Sequence, residues 1–248
     1  TVSVILASCD SSQTEMNDQP TPTATTAVVI DNQIRKTETT WNDEQLVTDP
    51  FAGPVPDGAL MRIGKGQISG MVISPTEDVL IVSSSTGIHF YRLDDLSLIR
   101  ETPVDTWLRC IAISPEGKTL AAGTDDGTVI LWDAHSGEQL ATLEGHTWDV
   151  NSVAFSPDGK TLAFGSLYDD NEILWDAHSG EQLATLKGHS SGVSSEAFSP
   201  DGSIFTSGED DTVILWDAYS GEQLSTLEGH TDIVYDAAFS PNGVILES

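Results

Sequence analysis

The feature that most constrains this chain is a repeat that three separate markers keep in one phase. Ser-Pro recurs at Ser74-Pro75, Ser114-Pro115, Ser156-Pro157, Ser199-Pro200 and Ser240-Pro241, with the prolines 40, 42, 43 and 41 residues apart. Trp-Asp recurs at Trp132-Asp133, Trp175-Asp176 and Trp216-Asp217, spaced 43 and 41. Gly-His recurs at Gly145-His146, Gly188-His189 and Gly229-His230 with the same two spacings. A unit of this length cannot bury its apolar face alone, so neighbouring units must stack.

Each unit reads as four short strands. In the third, 151–155 (NSVAF) is rich in β-branched and aromatic residues and is closed by the turn SPDG at 156–159. The strand 161–166 follows, then an acidic turn, then 172–176; after the turn 177–181 comes the strand 182–186. The fold class is therefore all-β, a tandem run of four-stranded antiparallel units.

These residues resemble the WD-repeat β-propeller family, in which each unit opens on Gly-His and ends on Trp-Asp. The resemblance covers residues 58–248, as repeats at about 58–92, 98–133, 140–176 and 183–217 and an incomplete one at 224–248. It implies blades around a central channel, the final strand of one repeat forming the outer strand of the next blade. The first repeat ends Tyr91-Arg92 and has Gly64 at the His position, so it reads as a degenerate terminal or capping repeat. The second has Val104 there. A propeller hides its sheet edges by closing. Four and a half repeats read as a slice of an incomplete ring, and a seven-blade ring would need roughly 100 more residues.

In the family the repeat's His joins a Ser or Thr of the second strand, an Asp of the following turn and the Trp in a structural hydrogen-bond tetrad. The resemblance carries this set onto His189, Ser207, Asp210 and Trp216. Ala122 and Phe164 stand at the Ser position of the second and third repeats, which leaves those sets incomplete. The remaining signature residues are His146, Trp132, Asp133, Trp175, Asp176, Asp217 and His230. A Ser-His-Asp trio invites a hydrolase reading. A Ser held inside a strand by a Trp-anchored network, however, is no free nucleophile and has no oxyanion donors. His135 and His178, with Tyr219 in the equivalent place, recur in solvated turns and lie too far apart for one tetrahedral metal. No catalytic residue, metal site or cofactor is expected.

The charge sharpens the function classes. Against 39 Asp and Glu stand 10 Lys and Arg, a net −29, which disfavours nucleic acid and anionic membrane surfaces as partners. Two cysteines cannot build a disulfide framework or a four-thiolate zinc site. Cys110 aligns with Ser152 and reads as a buried, inert thiol. Glu196 aligns with Val153 and Ile111 at a core position. It must find a partner, face the channel or take up a proton, and drift in a redundant repeat is the simplest origin.

The loops that open each repeat share a rim with the turns between its second and third strands. On that rim fall Asp125, Asp126, Asp149, Asp169, Asp170, Glu209, Asp210, Asp211 and Asp232, together with Trp107, Trp148 and an inserted Leu167-Tyr168. Exposed Trp and Tyr ringed by polar groups are typical interface anchors. Trp107, Trp148, Tyr168, Asp149 and Asp232 are therefore the candidate surface for a protein partner offering basic or apolar segments. The alternative is that Trp148 folds back on its own blade and the acids only keep the protein soluble.

The N-terminal end reads as an address. Residues 1–8 look like the end of a signal peptide, and LASC at 6–9 resembles the bacterial lipobox, with Cys9 as the acylated residue. Residues 9–57 then read as the lipidated Cys and a disordered acidic, Thr- and Pro-bearing tether, too poor in large apolar residues to fold. The expectation is a non-catalytic interaction scaffold outside the cytoplasm, touching the membrane through its lipid only. The alternatives are a propeller hydrolase or sugar-binding module with active residues in further blades, or a cytoplasmic regulatory propeller.

Overall fold

The computed structural model describes residues 2–4, 28–30, 66–166, 168–208, 211–243 and 246–247. The chain divides into two compact units, Thr1–Ile63 and Gly64–Ser248. In the first, β1 (Val2–Val4) pairs antiparallel with β2 (Val28–Ile30), Val2 opposite Ile30. Cys9, residues 5–8 of the expected signal and most of the expected tether lie outside the described residues.

The second unit is a succession of four-stranded antiparallel blades. Blade 1 holds β3 (Ile68–Ile73), β4 (Val79–Ser84), β5 (Gly87–Arg92) and β6 (Leu98–Thr102). Blade 2 holds β7 (Leu108–Ile113), β8 (Thr119–Thr124), β9 (Thr128–Asp133) and β10 (Gln139–Glu144). Blade 3 holds β11 (Val150–Phe155), β12 (Thr161–Ser166), β13 (Asn171–Asp176) and β14 (Gln182–Lys187). Blade 4 holds β15 (Val193–Phe198), β16 (Ile204–Gly208), β17 (Thr212–Trp216) and β18 (Gln223–Glu228). A last pair, β19 (Ala238–Phe239) and β20 (Leu246–Glu247), begins a fifth. The first strands β3, β7, β11 and β15 pack one on the next, and among the described residues the series does not close into a ring.

The fourth strand of each blade follows the four-strand unit read from the residues and corrects what the family resemblance implied for it. β14 pairs with β13, and β18 with β17, so each lies in the sheet of the three strands before it. The strand that opens a sequence repeat thus completes the preceding blade. The turn leaves no length for any other course: Asp176 N donates to Glu181 O and Gly180 N to Asp176 O, closing a tight hairpin. Asp176 Oδ1 also accepts from the amides of His178 and Ser179. Asp133 and Asp217 do the same for residues 135–136 and 219–220. Gly137, Gly180 and Gly221 follow at φ 76, 70 and 70, a left-handed conformation that side chains disfavour. The Asp of each Trp-Asp pair is therefore a turn staple.

Blade 1 is complete although its sequence lacks the Trp-Asp ending. Tyr91, buried, takes the register position of Trp132: it faces Leu80 as Trp132 faces Leu120. Arg100 closes this blade onto the next, with its guanidinium 3.8 Å from the Phe90 ring centre and Nη2 donating to Ala134 O.

Apolar seams join the blades. Ile88, Leu108, Ile111 and Trp132 belong to the core shared by blades 1 and 2; Val129, Val150, Val153, Phe164 and Trp175 to that of blades 2 and 3. Leu174, Leu186, Ile214 and Trp216 fill the next. At about 25 cal/mol per Å² of apolar area, such seams are what hold single blades that could not fold alone.

One register differs from the sequence alignment. Ser207 lies opposite Ser195 and Val213, which is the position of Gly165 and Gly123, one place on from Phe164 and Ala122. The preceding turn is one residue shorter. Ser199 N donates to Ser203 O, where Ser156 N reaches Thr161 O.

Candidate interaction surface

The opening loops of blades 2 and 3 bring a line of side chains together on one rim. Trp107 (42% exposed) lies beside Arg109, whose guanidinium carbon is 5.6 Å from the indole centre. Arg109 Nη2 in turn donates to Asp149 Oδ2. Next to Asp149 in the chain, Trp148 (56% exposed) meets Tyr168 (68% exposed) with ring centres 5.8 Å apart. Trp148 thus packs on the inserted turn of its own blade, as one of the alternatives had it, while more than half of its surface stays exposed. The line Trp107–Arg109–Asp149–Trp148–Tyr168 runs across two blades, a mixture of aromatic faces and one neutralised charge pair suited to packing against a peptide. Asp232 is not part of it: its Oδ1 accepts from Ile233 N in the loop that opens the incomplete fifth blade.

The rim acids have structural partners. Asp125 accepts from Thr106 Oγ1, and Asp126 from the hydroxyls of Thr124 and Thr128. The Thr124 bond holds the Asp126 carboxyl below the usual carboxylate range. Asp169 accepts from His146 Nδ1 at 2.9 Å and from Thr147 N at 3.0 Å. These residues staple turns as well as charge the surface.

The signature histidines sit where the repeat places them. His146 is fully enclosed; its Nε2 lies 3.1 Å from the carbonyl oxygen of Phe164, and its ring meets Phe164 edge-on at 5.5 Å. Phe164 stacks on Trp175 at 5.9 Å, so a ring fills the place where the resemblance put a hydroxyl. His189 and Trp216 are buried, His230 is exposed, and Asp210 and the side chain of Ser207 lie outside the described residues. The tetrad is therefore drawn only in its His and Trp.

Sequence reasoning missed three features. Arg109 is one; its separation of 40 residues from Asp149 equals the repeat period, which was the available signal. The second is His89, buried in β5, with Nε2 3.0 Å from Ser84 Oγ and Nδ1 3.5 Å from Glu101 Oε2. This connectivity is that of a nucleophile, base and acid, but Ser84 is completely buried and its hydroxyl also bonds Thr86 and Gly87, so no substrate reaches it. The third is Glu172, buried beside His189. Among the described residues no three metal-ligating side chains converge, and no helix is long and apolar enough to cross a membrane.

Cys110 is half-buried as a residue, but its sulfur is turned inward and reaches Val150 O at 3.5 Å. Burial pushes the thiol up to about 12. Iodoacetamide at pH 8 is expected to leave Cys110 unmodified in the folded chain and to label it fully in urea, read by peptide mass spectrometry. Stoichiometric labelling without denaturant would contradict the burial.

Four-stranded blades stacked through apolar seams, with aromatic side chains presented on one rim, define a β-propeller protein. The model of the WD domain, G-beta repeat, matches residues 98–133, 137–176, 180–217 and 221–246, more than half of the chain. The chain belongs to that family, whose members generally act as protein-interaction scaffolds. It is similar to the serine-threonine kinase receptor-associated protein of Homo sapiens, 30% identical over 99 residues, 40% of this chain and 28% of that protein. It is also similar to the WD repeat-containing protein VIP3 of Arabidopsis thaliana, 31% identical over 100 residues, 40% of this chain and 30% of that one. A third relative is the Arabidopsis pre-mRNA-processing factor 19 homolog 2, 28% identical over 111 residues, 43% and 21% of the two chains. The match spans less than a third of each relative's length. The first three strands of blade 1 precede the matched repeats, the first of which opens on β6.

Proposed function

We propose that this chain is a non-catalytic docking platform that grips a basic or apolar segment of a partner protein along the rim of blades 2 and 3. The observation that carries this reading is the exposed line of Trp107, Trp148 and Tyr168, set against the Arg109–Asp149 pair. Aromatic side chains bury a large area at low entropic cost, and the strong net negative charge of the chain favours basic partners. A display library of random 15-residue peptides, selected on the full chain, should enrich Arg, Lys and large apolar residues. Peptides so selected should bind the double variant Trp107→Ala, Trp148→Ala at least about tenfold more weakly, since anchors of this kind contribute more than about 1 kcal/mol each. Equal affinity for both proteins would overturn the assignment of this rim.

The same proposal places the platform outside the cytoplasm, held by lipid on Cys9. It is supported by LASC at 6–9 and the polar composition of 10–26. A single acyl chain anchors only marginally, so the two or three chains of an acylated N-terminal Cys are what such anchoring requires. Expressed in a bacterium from the complete reading frame, the protein should take up labelled palmitate. Label that persists in Cys9→Ala would remove this part of the proposal and leave the docking rim untouched.

A further inference from the structure

The seams between blades repeat one pair of positions, and in one seam both members have changed together. Position one is the second residue of each blade's third strand: Ile88, Val129, Glu172 and Val213 in turn. Position two lies on the first strand of the following blade, Ile111, Val153 and Glu196, or immediately before it, Ala237 ahead of β19. Ile88 and Ile111 share one core, Val129 and Val153 the next, and Val213 and Ala237 the last. Only the seam between blades 3 and 4 puts a carboxyl at both places.

The geometry makes this a meeting of the two groups. Gly165 is the ladder partner of Glu172, so a side chain there would share the face from which Glu172 projects. A Cβ on Gly165 would lie 2.8 Å from Glu196 Oε1. Glu196 therefore reaches across the seam into the space that Gly165 leaves beside Glu172. Both residues are buried, Glu172 completely, and neither oxygen of Glu196 has a hydrogen-bond partner among the described residues.

We infer that Glu172 and Glu196 form a carboxyl pair that holds one proton between them, and that this proton latches blade 4 to blade 3. With the proton in place, one carboxyl donates to the other and the seam is satisfied. Without it, two negative charges face each other in a dry interface, which favours opening. Other titratable groups facing the pair are His189, with Nε2 3.8 Å from Glu172 Oε1, and the neutral thiol of Cys110; the facing strands β11 and β12 supply none. His189 steadies Glu172 as the acceptor, leaving Glu196 as the proton carrier.

The pH dependence follows. Burial, with the Glu172 charge added, holds the Glu196 carboxyl well above its ordinary range. The folded chain then binds a proton that the unfolded chain has released, so stability falls as pH rises from the ordinary carboxylate range through the raised one. One proton corresponds to at most a tenfold loss in the folding equilibrium constant per pH unit over that window.

The experiment compares urea unfolding of the full chain with that of Glu172→Val, Glu196→Val, which gives this seam the residues of the seam before it. The acidity of the rest of the chain acts on both proteins. The ratio of their folding constants should favour the variant more with each pH unit between 5 and 9, by up to tenfold per unit. Glu196→Gln, a permanent hydrogen-bond donor, should match the wild type at pH 5 and exceed it at pH 8. Parallel pH profiles for wild type and both variants would overturn the latch. So would stabilisation of the wild type, and not the variants, by Ca²⁺ or Zn²⁺, which would make the pair a cation site.

Discussion

Phe164→Ala is expected to lower the stability of the chain by about 3–5 kcal/mol, the range for removing a fully enclosed aromatic ring. Phe164 has no exposed surface and belongs to the core that joins blades 2 and 3. Its ring lies flat against Trp175 and edge-on to His146, so truncation opens a void between two large groups that backbone ladders hold in place. Polar contacts cannot compensate. The Trp175 indole nitrogen is buried without a hydrogen-bond partner among the described residues, and stacking on Phe164 is what fixes that ring. Phe164→Ser, which supplies the hydroxyl that the family resemblance places here, should lose less than Ala because it offers the indole an acceptor. Urea unfolding monitored by tryptophan fluorescence measures both. A loss below about 1 kcal/mol for the Ala variant would mean that the seam recloses around the gap.

That prediction rests on a residue whose role was half visible in the sequence. Phe164 was legible as a break in the tetrad, because the family resemblance puts a Ser or Thr at that offset and a phenyl ring has no hydroxyl to hydrogen-bond. Its stacking on Trp175 was not, since nothing in a one-dimensional period says which rings of a blade become parallel. The same division holds elsewhere. The blade count, the turns and the buried Trp132, Trp175 and Trp216 follow from period and composition. The Asp of each Trp-Asp pair stood out by recurrence, yet its work, accepting the amides of the next turn, is a matter of local geometry.

The errors have one physical source, which is that sequence alignment counts residues while ladders count hydrogen-bonded pairs. A turn shorter by one moved Ser207 a full place along its strand and onto the register of Gly165. The strands read from the residues grouped 182–186 with the three before it, as the structure does. The family resemblance put the outer strand in the next blade, because the signature dipeptides mark where repeats begin and end, not which edges pair. Glu196 was found as an acid in an apolar column, and one of the outcomes foreseen for it was a partner. Glu172 was not legible, because an acid beside the acidic turn Asp169-Asp170 looks like part of that turn until the ladder places it in the seam. In the interaction surface, Trp107, Trp148 and Tyr168 were legible as aromatics in polar loops. Arg109, which links the first of them to Asp149, was hidden inside a strand.

Asp169→Ala is expected to cost about 1–3 kcal/mol and to reach the interaction surface as well. The carboxylate accepts from the Nδ1–H of a His146 ring with no exposed side-chain surface and from the backbone N–H of Thr147. A buried donor left unpaired, here the His146 Nδ1–H, costs about 1–3 kcal/mol, whereas the amide of the exposed Thr147 is reached by water. Asp169→Asn keeps an acceptor oxygen but weakens a charge-assisted bond, so a loss of about 1 kcal/mol is expected. Asp169 follows Tyr168 directly, and Thr147 precedes Trp148. The two bonds that fix the opening loop to the inserted turn are thus the ones that set the Trp148–Tyr168 contact. Peptides selected on the wild-type rim should therefore bind the Ala variant several-fold more weakly, although the Asp169 side chain is itself largely covered. A variant that loses stability but keeps full peptide affinity would show that Trp148 and Tyr168 find each other without the staple. Equal stability of the Ala and wild-type chains would show that water replaces the carboxylate at His146, which its complete burial argues against.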